Sequence, residues 1–148
     1  MIEKLNEIGS EFKCPVAIML NDKRVLCGYR NYTLDKYKKI SVWTNPGGRC
    51  EIGETLGETL KREVKEEVGI IEFEILDFIG EAPGAKDGDT IFLFLCDTNE
   101  DFKLMEPEKF SEWRWVPIKE YLESEVYRGF NLNAREVFTN YFKEHIYD

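Results

Sequence analysis

The chain has 148 residues, 43% hydrophobic and 14% aromatic, which is enough for one domain with a buried core, spanning 1–148, and leaves no room for a second. A net charge of −9 disfavours generic binding along a nucleic-acid polymer, which needs a stripe of Lys and Arg. Cys14, Cys27, Cys50 and Cys96 form no C-x-x-C pair and the single histidine is His145, so no zinc framework can be read and the thiols are expected to be reduced.

In chain order, residues 14–20 (CPVAIML) and 24–30 (RVLCGYR) are apolar runs joined by Asn21-Asp22-Lys23, which predicts a β-hairpin. A short strand over 40–44 ends at the turn Asn45-Pro46-Gly47-Gly48. Thr55 followed by Glu58 is a capping box and Gly69 a left-handed stop, so a helix lies between them. Its apolar stripe is Leu56, Leu60, Val64 and Val68. Residues 71–80 alternate as a half-buried strand, Gly84 to Asp89 is a loop, and the continuous run 90–97 (TIFLFLCD) reads as a central strand. Trp113 to Val116 forms a further strand, with one tryptophan expected in the core and the other facing outward. Pro117 opens a short helix, and Ala134 to Ile146 is the final amphipathic helix. No apolar run reaches about 18 residues and no signal-peptide pattern opens the chain, so a cytoplasmic protein without a membrane partner is expected.

The helix between Thr55 and Gly69 carries Glu63, Glu66 and Glu67. Residues three and four apart on a helix are neighbours, so Glu63 faces both of the others. Like charges this close repel, and a cation between them would offset that cost. Hard oxygen ligands suit Mg²⁺ or Mn²⁺, which share their remaining positions with water and substrate phosphates. Arg62 is four residues from both Glu58 and Glu66 and can pair with either. A chain with 33% charged residues also makes acidic helix faces that are merely solvated, so the trio alone leaves both readings open.

The wider spacing separates them. Gly48, Glu54, Arg62-Glu63-Val64, Glu66-Glu67 and Gly69-Ile70 fill every fixed position of G-x5-E-x7-R-E-U-x-E-E-x-G-U, where U is aliphatic. This resembles the signature box of the Nudix (MutT-like) hydrolase superfamily. The resemblance implies an α/β fold, the Nudix α/β/α sandwich, with a mixed β-sheet, the box helix and a C-terminal helix. It also implies metal-assisted attack of water on phosphorus in a nucleoside diphosphate linked to another group. Glu63, Glu66, Glu67 and the Gly48 carbonyl would hold Mg²⁺ or Mn²⁺, with Arg62 orienting them and Glu54 closing the loop onto the helix.

Glu106-Pro107-Glu108-Lys109 followed by Trp113-Arg114-Trp115-Val116-Pro117 resembles a stretch in the branch that includes the human thiopurine-nucleotide and oxidised-purine nucleotide diphosphatases. In such relatives a glutamate of this loop completes the metal site or activates water. Glu108 is the best positional match and Glu112 the second. The proton acceptor is then one of Glu63, Glu66 and Glu108. Nucleobases stack on aromatic faces, and Trp43, Phe130 and Asn131 are the expected substrate contacts.

A small-molecule nucleotide is the expected substrate of a monomer or homodimer, foremost a nucleoside triphosphate cleaved to monophosphate and pyrophosphate. A nucleotide-sugar or ADP-ribose-type diphosphatase is the alternative. The residues 85–89 lack the proline and tyrosine that mark the ADP-ribose and dinucleoside-polyphosphate branches, although Pro83 is close. Asn45 departs from the Leu-Pro-Gly-Gly form of many triphosphate members. A third reading, a silent nucleotide-binding regulator, would be expected to lose a box glutamate, and all are present here.

Overall fold

The computed structural model describes residues 2–31, 42–84, 86–127 and 131–145. A 3₁₀ turn at Glu3–Asn6 precedes β1 (Lys13–Asn21), β2 (Arg24–Arg30) and β3 (Val42–Thr44). Then come α1 (Leu56–Val68), β4 (Glu74–Pro83), β5 (Thr90–Asp97), β6 (Phe110–Pro117), α2 (Ile118–Glu123) and α3 (Leu132–His145). Residues 40 and 41 of the expected third strand, Ile146 at the expected end of the last helix, and Phe130 lie outside the described residues.

The predicted hairpin is present. Asp22 and Lys23 take φ of 51° and 60°, the left-handed pair that a type I′ turn needs to match the twist of its strands. The strands form one mixed sheet in the order β3-β2-β1-β5-β4, with β6 also paired to β2. β5 runs parallel to β1 and antiparallel to β4, the interior position its unbroken apolar sequence required. The strand expected over 71–80 begins only at Glu74. The Ile71 and Glu72 N–H groups donate instead to the Glu100 carboxylate, at 3.3 and 2.6 Å, which keeps them out of the ladder.

Side chains alternate across each strand, so both faces of the sheet are apolar and both are covered. Ala17, Met19, Phe92 and Phe94 meet Leu56, Leu60, Val64 and Val68 of α1 on one face. Ile18, Leu20, Leu93 and Leu95 meet Tyr121, Phe138 and Phe142 of α2 and α3 on the other. Trp113 and Trp115 both lie on the α1 side: Trp113 is buried, and Trp115 packs half-buried against the same cluster while its indole N–H donates to Asp101 at 2.9 Å. The expected split of one inward and one outward does not occur, because residues two apart on a strand share a face.

Trp113 sits opposite Gly28 in the β2–β6 register, and its ring lies across the glycine. A Cβ at residue 28 would stand 2.6 Å from that ring. Gly28→Ala is therefore expected to destabilise the fold by about 1–3 kcal/mol through overpacking, measured as a lower midpoint in denaturant with an unchanged slope.

Candidate active site

The fold opens a gap where the site forms. β1 and β2 pair only next to their turn, at Leu20↔Val25 and Asn21↔Arg24, and then part. Beyond that point β2 pairs with β3, and the loop after β3 zips onto β1. Ala17 N–H donates to the Pro46 carbonyl (2.8 Å), Gly48 N–H to Pro15 (3.2 Å) and Cys50 N–H to Lys13 (3.1 Å). This ladder threads the loop between β1 and the glutamates of α1. No side chain fits there: a Cβ on Gly47 would strike the Pro15 carbonyl at 2.5 Å, and one on Gly48 would stand 2.5 Å from the Glu63 carboxyl carbon.

α1 delivers the glutamates in a fixed rotation. The capping box forms in both directions, Glu58 N–H to Thr55 Oγ1 at 3.1 Å and Thr55 N–H to Glu58 Oε1 at 3.0 Å. Gly69, with φ of 68°, ends the helix. Glu67 falls on the buried side, 4% exposed, with Oε1 accepting the Gly47 N–H at 2.8 Å. Burial pushes its carboxyl up to about 8; the Gly47 bond opposes the shift, and the charges of Glu63 and Glu106 add to it. Glu63, with a side chain 17% exposed, is also pushed up, mainly by burial. Glu66 is exposed at the rim.

Arg62 joins these carboxylates. Its Nε and Nη2 donate to the two oxygens of Glu54 (2.8 and 3.0 Å), and Nη1 donates to Glu63 (3.0 Å) and Glu66 (3.2 Å). Nη2 also reaches the Arg49 carbonyl at 3.2 Å. The pairing with Glu58 that helical spacing allowed does not form, since Glu58 is engaged in the cap. Glu54 additionally accepts from Glu51 N–H and Thr59 Oγ1, so it ties the loop to the helix as the sequence pattern implied. The Arg62 guanidinium holds the Glu54 carboxyl down at about 2.

Glu63 and Glu67, but not Glu66, line a cleft of about 590 Å³ whose wall includes Gly47 and Gly48, within the range of small-molecule sites. Four cations that sequence reading did not single out also line it: Arg30, Arg49, Lys86 and Lys109. The Arg30 guanidinium lies over the Phe110 ring at 5.5 Å, and its buried Nε has no hydrogen-bond partner among the described residues. Arg49 is clamped by buried Asp89, Nη1 to Oδ1 at 2.9 Å and Nη2 to Oδ2 at 2.6 Å. Lys109 pairs with Glu106 at 3.2 Å.

Neither Glu108, which is exposed, nor Glu106 lines the cleft, but Glu106 is the loop carboxylate whose field reaches Glu67. Glu112 pairs with Arg114 at 3.1 Å. No sequence spacing identified Glu106 over Glu108, because the direction of each side chain follows from where the loop enters β6.

A smaller recess, about 80 Å³, shares Val16, Thr44, Asn45 and Ile91 with the cleft and is lined on its far side by Trp43, Tyr127 and Phe138. Trp43 is 8% exposed, with Tyr29 and Tyr127 rings at 5.0 and 5.3 Å and the Arg114 guanidinium at 4.6 Å. Asn131 also lines the recess; it caps α3 by accepting the Ala134 N–H (3.0 Å) and donates to the Pro83 carbonyl (2.9 Å).

Among the described residues no three His, Cys, Asp or Glu side chains converge into a ready-made metal cage. Arg62 holds Glu63 and Glu66 from one side, and Glu67 is held by Gly47. The donor set nevertheless fits a hard divalent ion that completes its shell with water and phosphate. The glycine cradle leaves room at the Glu63 carboxyl that any side chain at residue 48 would fill.

A family model of the NUDIX domain matches residues 14–140. The chain belongs to the Nudix family. This Nudix chain is 30% identical over 110 residues to the NAD-capped RNA hydrolase NudC of Mannheimia succiniciproducens, covering 72% of the chain and 40% of that protein. It is 29% identical over 120 residues to the RNA pyrophosphohydrolase of Erythrobacter litoralis, covering 62% of the chain and 73% of that protein. It thus spans about two fifths of the length of the NudC relatives. In structure it is similar to the MutT protein of Methanosarcina mazei, with TM-score 0.73, 24% identity and coverage of 92% and 96% of the two chains. A TM-score of 0.66 to an ADP-ribose pyrophosphatase of Streptococcus suis, at 16% identity and coverage of 94% and 95%, places both on the same Nudix fold. The mixed sheet between the box helix and the C-terminal helices is the architecture expected.

The Glu54–Arg62 pair sets a pH dependence. Glu54 has a depressed carboxyl, so its stabilisation is complete above the unfolded-state value of 4.5 and is lost as the pH falls toward about 2. Melting temperatures of the parent and of Glu54→Gln should differ most above pH 4.5 and converge as the solution is acidified through that window.

Proposed function

We propose that the chain is a Mg²⁺- or Mn²⁺-dependent Nudix hydrolase that cleaves a diphosphate linkage in a nucleotide, foremost a nucleoside triphosphate to monophosphate and pyrophosphate, in the cytoplasm. The observation that carries this reading is Glu67. It is an acid buried against the glycine loop on the wall of the cleft, where its charge is costly without a cation.

A divalent ion bound there would lower the pKa of a water molecule and neutralise phosphoryl oxygens. Glu63, Glu66, Glu67 and the Gly48 carbonyl would hold it, and Glu106, whose charge acts on Glu67, is favoured over the exposed Glu108 to complete the set. Arg62 fixes the orientation of Glu63 and Glu66, so neither must reorganise when substrate arrives. Of Glu63, Glu66 and Glu108, Glu63 is the favoured proton acceptor, since it alone of the three lines the cleft. Arg30, which lines the cleft with its guanidinium over Phe110, supplies a cation for the substrate's phosphates.

The base would enter the aromatic recess beside Trp43, Tyr127 and Asn131, with Phe130 next in sequence. The amides of Asn45 and Asn131 are both engaged through nitrogen and oxygen: Asn45 donates to the Leu26 carbonyl (3.1 Å) and accepts from Tyr121 Oη (2.8 Å). Recognition would therefore rest on stacking and size, and discrimination among purine triphosphates is expected to stay within about tenfold in kcat/KM.

A second reading follows from the similarity to an NAD-capped RNA hydrolase and an RNA pyrophosphohydrolase: the diphosphate would lie at the 5′ end of an RNA chain. A release assay across nucleoside triphosphates, nucleotide sugars, dinucleotides, NAD-capped RNA and triphosphate-ended RNA separates the two. Free triphosphates should be the best substrates; turnover of RNA ends alone would replace the first reading with the second. Binding without turnover of any compound under Mg²⁺ or Mn²⁺ would make the chain a nucleotide sensor.

Glu67→Gln, nearly isosteric, is expected to lower activity by about two orders of magnitude or more while melting no lower than the parent, because its amide oxygen can still accept the Gly47 N–H and the buried group need not ionise. A variant that turns over at the parent rate would overturn the site assignment.

A further inference from the structure

A guanidinium carries five N–H donors, and the two box-region arginines use theirs differently. Arg62 is saturated: Nε meets Glu54, Nη2 meets Glu54 and the Arg49 carbonyl, and Nη1 meets Glu63 and Glu66. It has nothing left for a ligand. Arg49 gives its Nη1/Nη2 end to Asp89 and the outer Nη1 hydrogen to the Glu11 carbonyl at 2.7 Å. The Nε–H and the outer Nη2–H, side by side on the remaining edge, have no protein partner among the described residues. That edge is a complete fork for a planar or phosphoryl oxyanion, on a side chain that lines the cleft and is 42% exposed.

Asp89 is built to aim it. Its side chain is 4% exposed, and both oxygens go to Arg49. Gly84 N–H donates to the Asp89 carbonyl (2.9 Å) and Asp89 N–H to Lys86 (3.1 Å), which closes a tight loop around it. A Cβ at residue 84 would stand 2.5 Å from the Asp89 Cβ, so the loop reaches this shape only with glycine there. A buried ion pair is a weak source of stability, because desolvation offsets most of the attraction. Its stronger consequence here is geometric: a long, flexible arginine is held in one pose at the cleft.

We propose that Asp89, outside the box, is a positioning residue that presents the Nε/Nη2 edge of Arg49 to the substrate, and that this edge grips a phosphoryl group in bidentate fashion. The inference rests on reading the cleft as a diphosphate site.

The test is calorimetric binding of inorganic pyrophosphate under Mg²⁺, paired with KM and kcat on the best diphosphate substrate. Asp89→Asn and Arg49→Lys, which keeps the charge and loses the fork, should each weaken pyrophosphate about tenfold, with the kinetic loss falling on KM more than on kcat. In an Arg49→Ala background, Asp89→Asn should change the affinity by less than about twofold, since its effect runs through the arginine. Parent-like affinity in Arg49→Lys, or an undiminished effect of Asp89→Asn without the arginine, overturns the proposal. If Asp89→Asn does not fold, as judged by circular dichroism, Arg49→Lys decides alone. A parent that hydrolyses no diphosphate yet shows this binding pattern would refute the hydrolase reading and keep the clamp. Normal turnover without the pattern would do the reverse, and a parent that neither turns over a diphosphate nor binds pyrophosphate would remove both.

Discussion

The arrangement of the cleft depends on one interaction, the saturation of Arg62 by carboxylates from two segments. Glu54 comes from the loop, Glu63 and Glu66 from the helix, and all converge on one guanidinium. Without it, these three carboxylates would repel one another, and the loop would keep only the Thr59–Glu54 and Gly47–Glu67 bonds to α1. With it, the loop is pinned to the helix at one end and zipped onto β1 at the other. The glycines at 47 and 48 follow from that constraint, because backbone has to pass where β1 and the Glu63 carboxyl leave no room for a side chain.

Arg62 also divides the acids by role. Glu54 is fully ionised and structural, while Glu67, beyond the reach of the guanidinium bonds and deeply buried, is held near neutrality. A site of this kind favours a divalent ion, whose field would restore the charge of Glu67 at little conformational cost. The same cleft supplies complementary charges, Arg30, Arg49, Lys86 and Lys109, in a chain whose net charge is −9. Local charge thus differs from global charge, and the acidity of the whole chain is no obstacle to a polyphosphate.

What was legible in the sequence was whatever is decided by neighbours along the chain. Thr55, Glu58 and Gly69 bounded α1 correctly because caps are local chemistry, and Asp22 marked the hairpin because the turn demands left-handed backbone. The continuous run of β5 announced an interior strand for the same reason: both faces are covered. Contacts between distant segments were not legible. The Arg49–Asp89 clamp spans 40 residues, and Arg49 stands at a position the box pattern leaves unspecified. The pairing of Arg62 with Glu54 rather than Glu58 depended on the capping box having already engaged Glu58. Glu106 and Glu108 are two apart in a loop, and only the entry of that loop into β6 decides which carboxylate faces Glu67.

The central claim is that Glu63, Glu66 and Glu67 form a divalent-metal site around a buried carboxylate. The most direct measurement is a Mn²⁺ titration followed by electron paramagnetic resonance, comparing the parent with Glu67→Gln at neutral pH and without nucleotide. The account predicts saturable binding by the parent and at least about tenfold weaker binding by the variant, the loss expected for one charged ligand. Equal affinity in the two proteins would contradict it.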